Sequence, residues 1–527
     1  MVGCAWLFIV LVRLLPAAEP AAVGSGLPQL KKDFSDIICR LLTCYEQSRE
    51  RHFLEMAVHF SDIRTHPLFD LAWGRRGQTR AAEQRLLDAA VHYRRLLFKG
   101  TYPSGDSEKN LCRLALEYIS AAERTRFPAP KLPLTLAEKC GIGQIQKNLT
   151  DRQVLLKYVL LEDRMLLFFI SARESGYEFL QVATGQAVAM INRLAEPLED
   201  FASGRVDYLR IHFDMELALR LYNIFLKKVT ERFPDGYELL IIPDQELFKL
   251  PFEALVMGFN KNYQQDEVLF SEYQAADYVI QKYAVSYYLS FADFLRVYAV
   301  CQDHPYALAA FGQPLVDGSP QPDAHGNLPS ISTIAEIPST RLEIMNLEKI
   351  FSGSHRRTFL GADFNQQNFS RYAPQARLIH IATHFFNDEE DPSRSAFLFS
   401  AAGGYPSLCD ARQILKMHLR AELVILSACE TSEKNLMGSK LLGGMTAAFR
   451  HTGVRELITS LWPVDEFSSQ IVPLFYREYL KGGRTALAMR NAKLALLGKN
   501  IPLRNGVRLS LAHPFLWANY VLFHFYR

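Results

Sequence analysis

Two continuous apolar runs, each ending in a residue that can serve in nucleophilic catalysis, constrain this chain more than any other feature. One run covers residues 377–384 and ends at His384, and the other covers residues 422–429 and ends at Cys429. Runs that are apolar throughout, rather than at alternate positions, are typical of parallel strands buried on both faces. Since strands and helices alternate from about residue 237 onward, the sequence predicts an α/β fold with a parallel-rich sheet flanked by helices.

His384 and Cys429 are 45 residues apart, which allows one crossover connection between neighbouring strands. In such sheets sites form beyond the carboxyl ends of the strands, so a histidine there could help the cysteine to become a thiolate. The pattern alone leaves this open, because a cysteine after an apolar strand is more often a small core residue. His380, inside the first run, is interpreted as structural.

Composition narrows the possible functions of the 527 residues, a length that predicts two to four domains. The 59 basic and 56 acidic side chains give a net charge of +3, which predicts no strong attraction to nucleic acid. The eight cysteines include no C-x-x-C pair, so neither a zinc motif nor a redox motif is expected. Their sparse distribution indicates a protein of a reducing compartment. The sequence also lacks the ligand spacing of a metal-dependent hydrolase. No metal and no cofactor are predicted.

The N-terminal segment, residues 1–29, contains an apolar run at 5–12 that is too short to span a bilayer. It could be a secretory signal, but no basic residue precedes it and Arg13 interrupts it. No other stretch is long enough to cross a membrane, so a cytoplasmic protein without a membrane span is expected.

The remaining boundaries follow changes in pattern along the chain. Residues 30–127 show helical spacing, and the similar segments 57–60 and 90–93 lie 33 residues apart, near the period of helix-turn-helix repeats. Prolines mark a linker within 128–153. A strand hairpin and helices are expected in 154–236, the alternating domain in 237–527, a long irregular loop at about 301–340, and a helix at 437–451 capped by Gly453.

At these residues the sequence resembles a CHAT domain, a caspase-like fold that often follows tetratricopeptide (TPR) repeats. The resemblance runs from about 140 to 527, and it is strongest from 239. Among the blocks that carry it are Ile-His-Ile-Ala-Thr-His, Leu-Ser-Ala-Cys-Glu-Thr and a Pro-x-Thr-x-x-Glu helix start. Seven blocks occur in the family's order: 242–244 with 250–255, 282–287, 337–343, 379–384, 426–431, 460–465 and 513–518.

The resemblance implies a cysteine endopeptidase of the caspase–separase type with His384 and Cys429 as its dyad. Cys429 would attack the scissile carbonyl, and His384 would help to form the thiolate and protonate the leaving amine. The oxyanion would be held by the backbone N–H groups of Phe385 and Cys429. The helices at 30–127 then resemble a short TPR-like region that binds an activating protein.

One departure from the family pattern concerns the residue after the histidine, which is usually glycine and here is Phe385, followed by another phenylalanine. A side chain at this position must point away from the substrate. The acidic loop at 387–391, including Asp388, could favour a basic P1 residue together with Glu430 and Asp465. Alternatively, the loop is only a solvated surface and Asp465 is a helix N-cap.

The sequence therefore predicts a regulated cysteine endopeptidase that cleaves a protein substrate under the control of a partner. The family often occurs in bacterial conflict or cell-death systems. The alternative is a catalytically weak CHAT scaffold that only binds other proteins, which Phe385 and the short repeat region favour slightly.

Overall fold

A computed structural model describes most of the chain. Residues 1–25 of the predicted N-terminal segment and residues 128–140 of the predicted linker lie outside the described residues. Within the described part, no helix combines the length and the apolar character needed to cross a membrane. The described ranges are 26–65, 80–98, 105–126, 141–202, 210–263, 267–298, 303–315, 337–386, 394–402, 405–430, 442–462, 464, 467–503 and 506–527.

The N-terminal region is helical, as its apolar spacing predicts. Among its periodic residues, Leu54, Ala57 and Val58 are buried on one helix, and Leu86 and Ala90 on another. Helix α1 packs against both α2 and α3, and α3 packs against α4. The bounds are α1 Gly26–Ser48, α2 Arg51–Arg64, α3 Arg80–Phe98 and α4 Gly105–Arg126.

After a short helix, the chain alternates strands and helices to its end. The helices are α5 Ile142–Asn148, α6 Thr184–Ala202, α7 Met215–Phe225, α8 Lys227–Arg232, α9 Val279–Lys282, α10 Phe291–Leu295, α11 Pro338–Ile350, α12 Gln366–Tyr372, α13 Ala411–Leu415, α14 Ala447–His451, α15 Ile471–Tyr479, α16 Thr485–Leu497 and α17 Pro514–Trp517. The strands are β1 Gln153–Leu160, β2 Met165–Ser171, β3 Ser175–Phe179, β4 Glu238–Ile242, β5 Val256–Phe259, β6 Val268–Leu269, β7 Ala276–Tyr278, β8 Ala284–Tyr288, β9 Tyr306–Gly312, β10 Arg356–Leu360, β11 Ala376–Phe386, β12 Ala396–Ala402, β13 Tyr405–Asp410, β14 Leu423–Glu430, β15 Glu456–Ser460, β16 Asn500–Pro502, β17 Arg508–Ser510 and β18 Tyr520–His524.

The main sheet contains 13 of the described strands in the order β10-β9-β11-β14-β15-β18-β8-β4-β1-β2-β3, and off this path β12 pairs with β11 and β13 pairs with β12. Its first five strands run parallel to one another, and so do β18, β8, β4 and β1. The two parallel blocks run in opposite directions because β15 and β18 pair antiparallel. The predicted α/β class with a parallel-rich sheet, helices on it and a helical region before it is confirmed.

Local predictions agree with the structure in most places. The expected hairpin is formed by β1 and β2, which pair antiparallel. Gly453 has a φ of +89°, the left-handed conformation expected of a helix cap. Of the helix expected at 437–451, the described part begins at Leu442 as a π turn and becomes α-helical at Ala447.

The prediction of an irregular loop at about 301–340 is wrong in part. Strand β9 lies inside it, between β10 and β11, and α11 begins at Pro338. The alanines of β9 have a low intrinsic preference for strands, so the run gives a weak signal. Burial between two neighbouring strands outweighs that preference.

A group of buried ion pairs joins α2 to the sheet, and we call it the helix–sheet seam: Asp62, Arg64, Lys157 and Asp244. Nζ of Lys157 donates to Asp62 at 2.9 Å, with both side chains buried. The same Asp62 carboxylate accepts the backbone N–H groups of residues 291 and 292 at the start of α10. One carboxylate therefore ties α2 to β1 and to α10.

Arg64 supplies the second half of the seam. Its Nη1 donates to Asp244 at 3.1 Å, its Nε donates to Ser35 at 3.0 Å, and its Nη2 donates to the carbonyl of Leu160. Asp244 also accepts the N–H of Leu160 at 2.8 Å. Since buried charges are tolerated when they are paired and hydrogen-bonded, these contacts hold the helices and the sheet to a common core.

Candidate functional site

The two apolar runs that end at His384 and Cys429 form the neighbouring parallel strands β11 and β14. Their register pairs His384 with Cys429, and Ala382 with Ser427. His384 is 4% exposed. The sequence predicts these strands and their adjacency correctly, and their carboxyl ends bring the two backbone positions together.

Alternation along β11 separates its side chains onto two faces of the sheet. His380 and His384 lie on one face, and Phe385 lies on the other. Phe385 is 6% exposed and packs in the hydrophobic core, while its backbone pairs with Glu430 on one side and with Phe397 of β12 on the other. The phenylalanine that replaces the usual glycine therefore directs its ring away from the face that carries His384.

Below His384 on that face lies a buried polar group that we call the His380 cluster: Glu343, His380, Ser427, Tyr476 and Tyr520. Nε2 of His380 is 3.0 Å from Oε1 of Glu343, at ion-pair distance but without the geometry of a hydrogen bond. The Ser427 hydroxyl donates to the other Glu343 oxygen at 3.2 Å and lies 2.8 Å from the Tyr520 hydroxyl. Helix α11 is thereby joined to three strands directly behind the site.

Tyr476 closes the cluster from α15. Its ring centroid is 6.0 Å from that of His380 in an edge-on arrangement. Burial, together with the nearby Glu343 carboxylate, raises the pKa of Tyr476 well above its usual value, so the phenol is neutral. Its hydroxyl and Nδ1 of His380 have no hydrogen-bond partner among the described residues.

The interpretation of His380 as structural does not predict the polar side chains that surround it. His380 is fully buried, and its neighbour Glu343 is the glutamate of the Pro-x-Thr-x-x-Glu helix start, far away in sequence. One signal was available: Ser427 stands two residues before Cys429, and His380 four before His384. Even spacings along strands place both on the face that carries His384.

The remaining predicted site residues differ in what the structure describes of them. Cys429 and Glu430 end β14, where their backbones pair with those of His384 and Phe385. Asp388 and Asp465 lie outside the described residues. In the described part of the chain, no three histidine, cysteine or acidic side chains are grouped so as to hold a metal ion.

The strand order and the flanking helices define an α/β protein with a mixed, parallel-rich sheet. The CHAT domain family matches residues 215–524, more than half of the chain, and the chain therefore belongs to this family, which has a caspase-like peptidase fold.

Comparisons with individual proteins add little to this assignment. The chain is similar to one in the crystal structure of the Saccharomyces cerevisiae separase–securin complex, with 9% identity and a TM-score of 0.39. The match covers 92% of this chain and 37% of that one, so it spans little more than a third of the separase-complex chain. No curated protein matches this chain.

Proposed function

We propose that this protein is a cysteine endopeptidase in which His384 and Cys429 form the catalytic dyad. The observation that carries the proposal is the register of β11 and β14, which makes the two residues direct partners at adjoining strand ends. Residues paired in a parallel ladder share a face of the sheet. A histidine and a cysteine so placed would be able to exchange a proton, and membership of the CHAT family supports this role.

In the proposed reaction, His384 takes the thiol proton and the Cys429 sulfur attacks the carbonyl carbon of the scissile peptide bond. The C–N bond then breaks, the amine leaves with the proton from His384, and an acyl-enzyme remains. Water, deprotonated by the same imidazole, hydrolyses the thioester and restores the thiol. The backbone N–H groups of Cys429 and Phe385 would stabilise the oxyanion of each tetrahedral intermediate.

Burial of the site supports control by a partner. His384 is 4% exposed, and Phe385 is paired in the ladder on both sides, so a substrate reaches this position only after a local rearrangement. The N-terminal helices are suited to transmit such a change, because the helix–sheet seam connects α2 to β1 and to Asp244, which follows β4. We propose that the activating protein binds this TPR-like region.

The second candidate function is a scaffold that has kept the fold but cleaves poorly. It is favoured by the same burial and by the absence of the usual glycine after His384. The two functions differ in whether Cys429 is an activated thiolate.

The pH dependence of alkylation, measured by mass spectrometry for each cysteine, separates the two. Burial raises the pKa of Cys39, Cys44 and Cys409, most strongly that of Cys409, so these thiols serve as slow internal controls. We expect Cys429 to react fastest at about pH 6–7 and to lose this advantage in His384→Ala. A Cys429 that reacts no faster than Cys409 would mean that the free protein is either the scaffold or a latent peptidase. Repeating the assay with a candidate activating protein bound decides between these two, because only the latent peptidase should then show a fast Cys429.

A further inference from the structure

A second concave site lies on the same face of the sheet, between the strands and the turn that joins α15 to α16. It is a cavity of about 470 Å³, within the range of roughly 300–1,000 Å³ typical of small-molecule sites. Three strands provide part of its floor, where the register places Glu456, His524 and Tyr288 side by side. The turn Gly482–Gly483, with Arg484, forms part of the opposite wall.

The two carboxylates of the cavity are both already partnered. Glu456 is 3.0 Å from Nδ1 of His524 and accepts the hydroxyl of Thr485. Although burial acts to raise it, these hydrogen bonds lower the pKa of Glu456, so the group is ionised. Glu238 accepts from Gln153 at 2.9 Å and from Arg484 at 2.7 Å. Neither carboxylate is left to bind a cation.

The positive groups are in excess. Four guanidinium groups line the cavity, those of Arg377, Arg455, Arg484 and Arg527, against the two carboxylates. Nε of Arg455 is buried and has no hydrogen-bond partner among the described residues, while its guanidinium carbon lies 5.8 Å from the Tyr298 ring centroid. Arg377 is also paired with Glu422, at 3.5 Å, so the formal surplus is one positive charge, which favours an anionic group such as a phosphate monoester.

The walls also suit a planar organic group. Tyr288, Tyr479 and Tyr526 line the cavity, and Tyr288 stacks on His524 at 5.1 Å between ring centroids. Aromatic walls bind planar rings, whereas guanidinium groups bind phosphate oxygens in pairs of hydrogen bonds. We propose that this cavity binds a small molecule that combines a planar ring with a phosphate group. The proposal is independent of peptidase activity.

Isothermal titration of the full chain with adenosine monophosphate tests the proposal, with adenosine and inorganic phosphate as partial probes. We expect adenosine monophosphate to bind with a Kd below about 1 mM, more tightly than inorganic phosphate, and adenosine not to bind measurably. Arg455→Gln should weaken binding at least about fivefold, because it removes a charge-assisted donor. Arg173→Gln, in an exposed turn outside the cavity, should leave the Kd unchanged.

Circular dichroism first establishes that each variant is folded, and Arg377→Gln replaces Arg455→Gln if the latter is not. The proposal is overturned if adenosine monophosphate gives no binding at about 5 mM, or if adenosine binds equally well. It is also overturned if the folded cavity variant binds as tightly as the wild type, since the arginines would then not contact the ligand.

Discussion

Both parallel blocks of the sheet contain buried polar groups, but these groups are satisfied to different degrees. In the four-stranded block, the helix–sheet seam pairs Lys157 with Asp62 and Arg64 with Asp244, and no buried atom of these four side chains lacks a partner. The His380 cluster lies behind the candidate site, on the five-stranded block and the adjoining strand β18. It leaves Nδ1 of His380 and the Tyr476 hydroxyl without a hydrogen-bond partner among the described residues.

The difference has a physical meaning. Fully paired buried groups fix one arrangement of the chain, because breaking any of them leaves a charge without solvation. Buried polar groups without partners cost free energy, so each one in a folded protein calls for an explanation, and a functional role is one such explanation. We infer that the seam serves stability and that the cluster belongs to the functional part of the sheet. Substitutions in the two regions should therefore separate effects on stability from effects on activity.

The largest effect is expected from Cys429→Ala, which removes the proposed nucleophile. Cleavage of a fluorogenic peptide library should fall at least about a thousandfold. The free energy of unfolding should change by less than about 1 kcal/mol, because one sulfur atom at a strand end contributes little packing. Cys409→Ala is the matched control, since it removes a buried thiol from β13. If Cys429→Ala still cleaves, or if folded Cys409→Ala is equally inactive, the dyad assignment is wrong.

Substitutions in the helix–sheet seam, unlike Cys429→Ala, should act mainly on stability. Lys157→Met leaves Asp62 as an uncompensated buried charge and should lower the free energy of unfolding by about 3–5 kcal/mol in urea denaturation. Asp62→Asn in the same chain should recover part of that loss. Arg173→Gln removes a pair that is 81% and 71% exposed and should change stability by less than about 0.5 kcal/mol. A loss below about 1 kcal/mol for Lys157→Met would contradict the stabilising role of the seam.

The sequence predicts some strands of the main sheet and their neighbours, but not others. The strands β11 and β14 and their adjacency follow from apolar runs, because burial on both faces leaves a direct mark on composition. Strand β9 does not follow, since its alanine-rich stretch is weak as a strand signal and is stabilised by its neighbours. The antiparallel junction of β15 and β18 pairs residues as far as 68 positions apart, so no local pattern encodes it.

In the candidate site, too, the sequence predicts the strands but not the contacts that depend on tertiary packing. His384 and Cys429 stand at the ends of predictable strands, and their pairing depends on a register that the apolar runs favour. The contact of Glu343 with His380 and Ser427 depends on how α11 lies across β11 and β14. The seam joins α2 to residues about 95 and 180 positions away, contacts that arise only from tertiary packing.

An intermediate effect is expected at the proposed substrate-binding residues. If Asp465 contacts a basic P1 side chain, Asp465→Ala should reduce cleavage after lysine and arginine about tenfold, or about 1.4 kcal/mol, relative to other residues. The P1 preference is measured by mass spectrometry of a peptide-library digest. Asp151→Ala, in an exposed turn before β1, is the control for loss of a negative charge. An unchanged P1 preference would assign Asp465 to another role, such as a helix cap.

The smallest effect is expected at two fully buried tyrosines, one whose hydroxyl is paired and one whose hydroxyl is not. Tyr158 of β1 donates to the carbonyl of Phe225 at 2.9 Å, whereas the Tyr476 hydroxyl has no partner among the described residues. Tyr158→Phe should cost about 1–2 kcal/mol in urea denaturation, and Tyr476→Phe should be neutral or stabilise the protein by up to about 1 kcal/mol. Equal costs would mean that the Tyr476 hydroxyl is paired and that the two blocks do not differ in the way proposed.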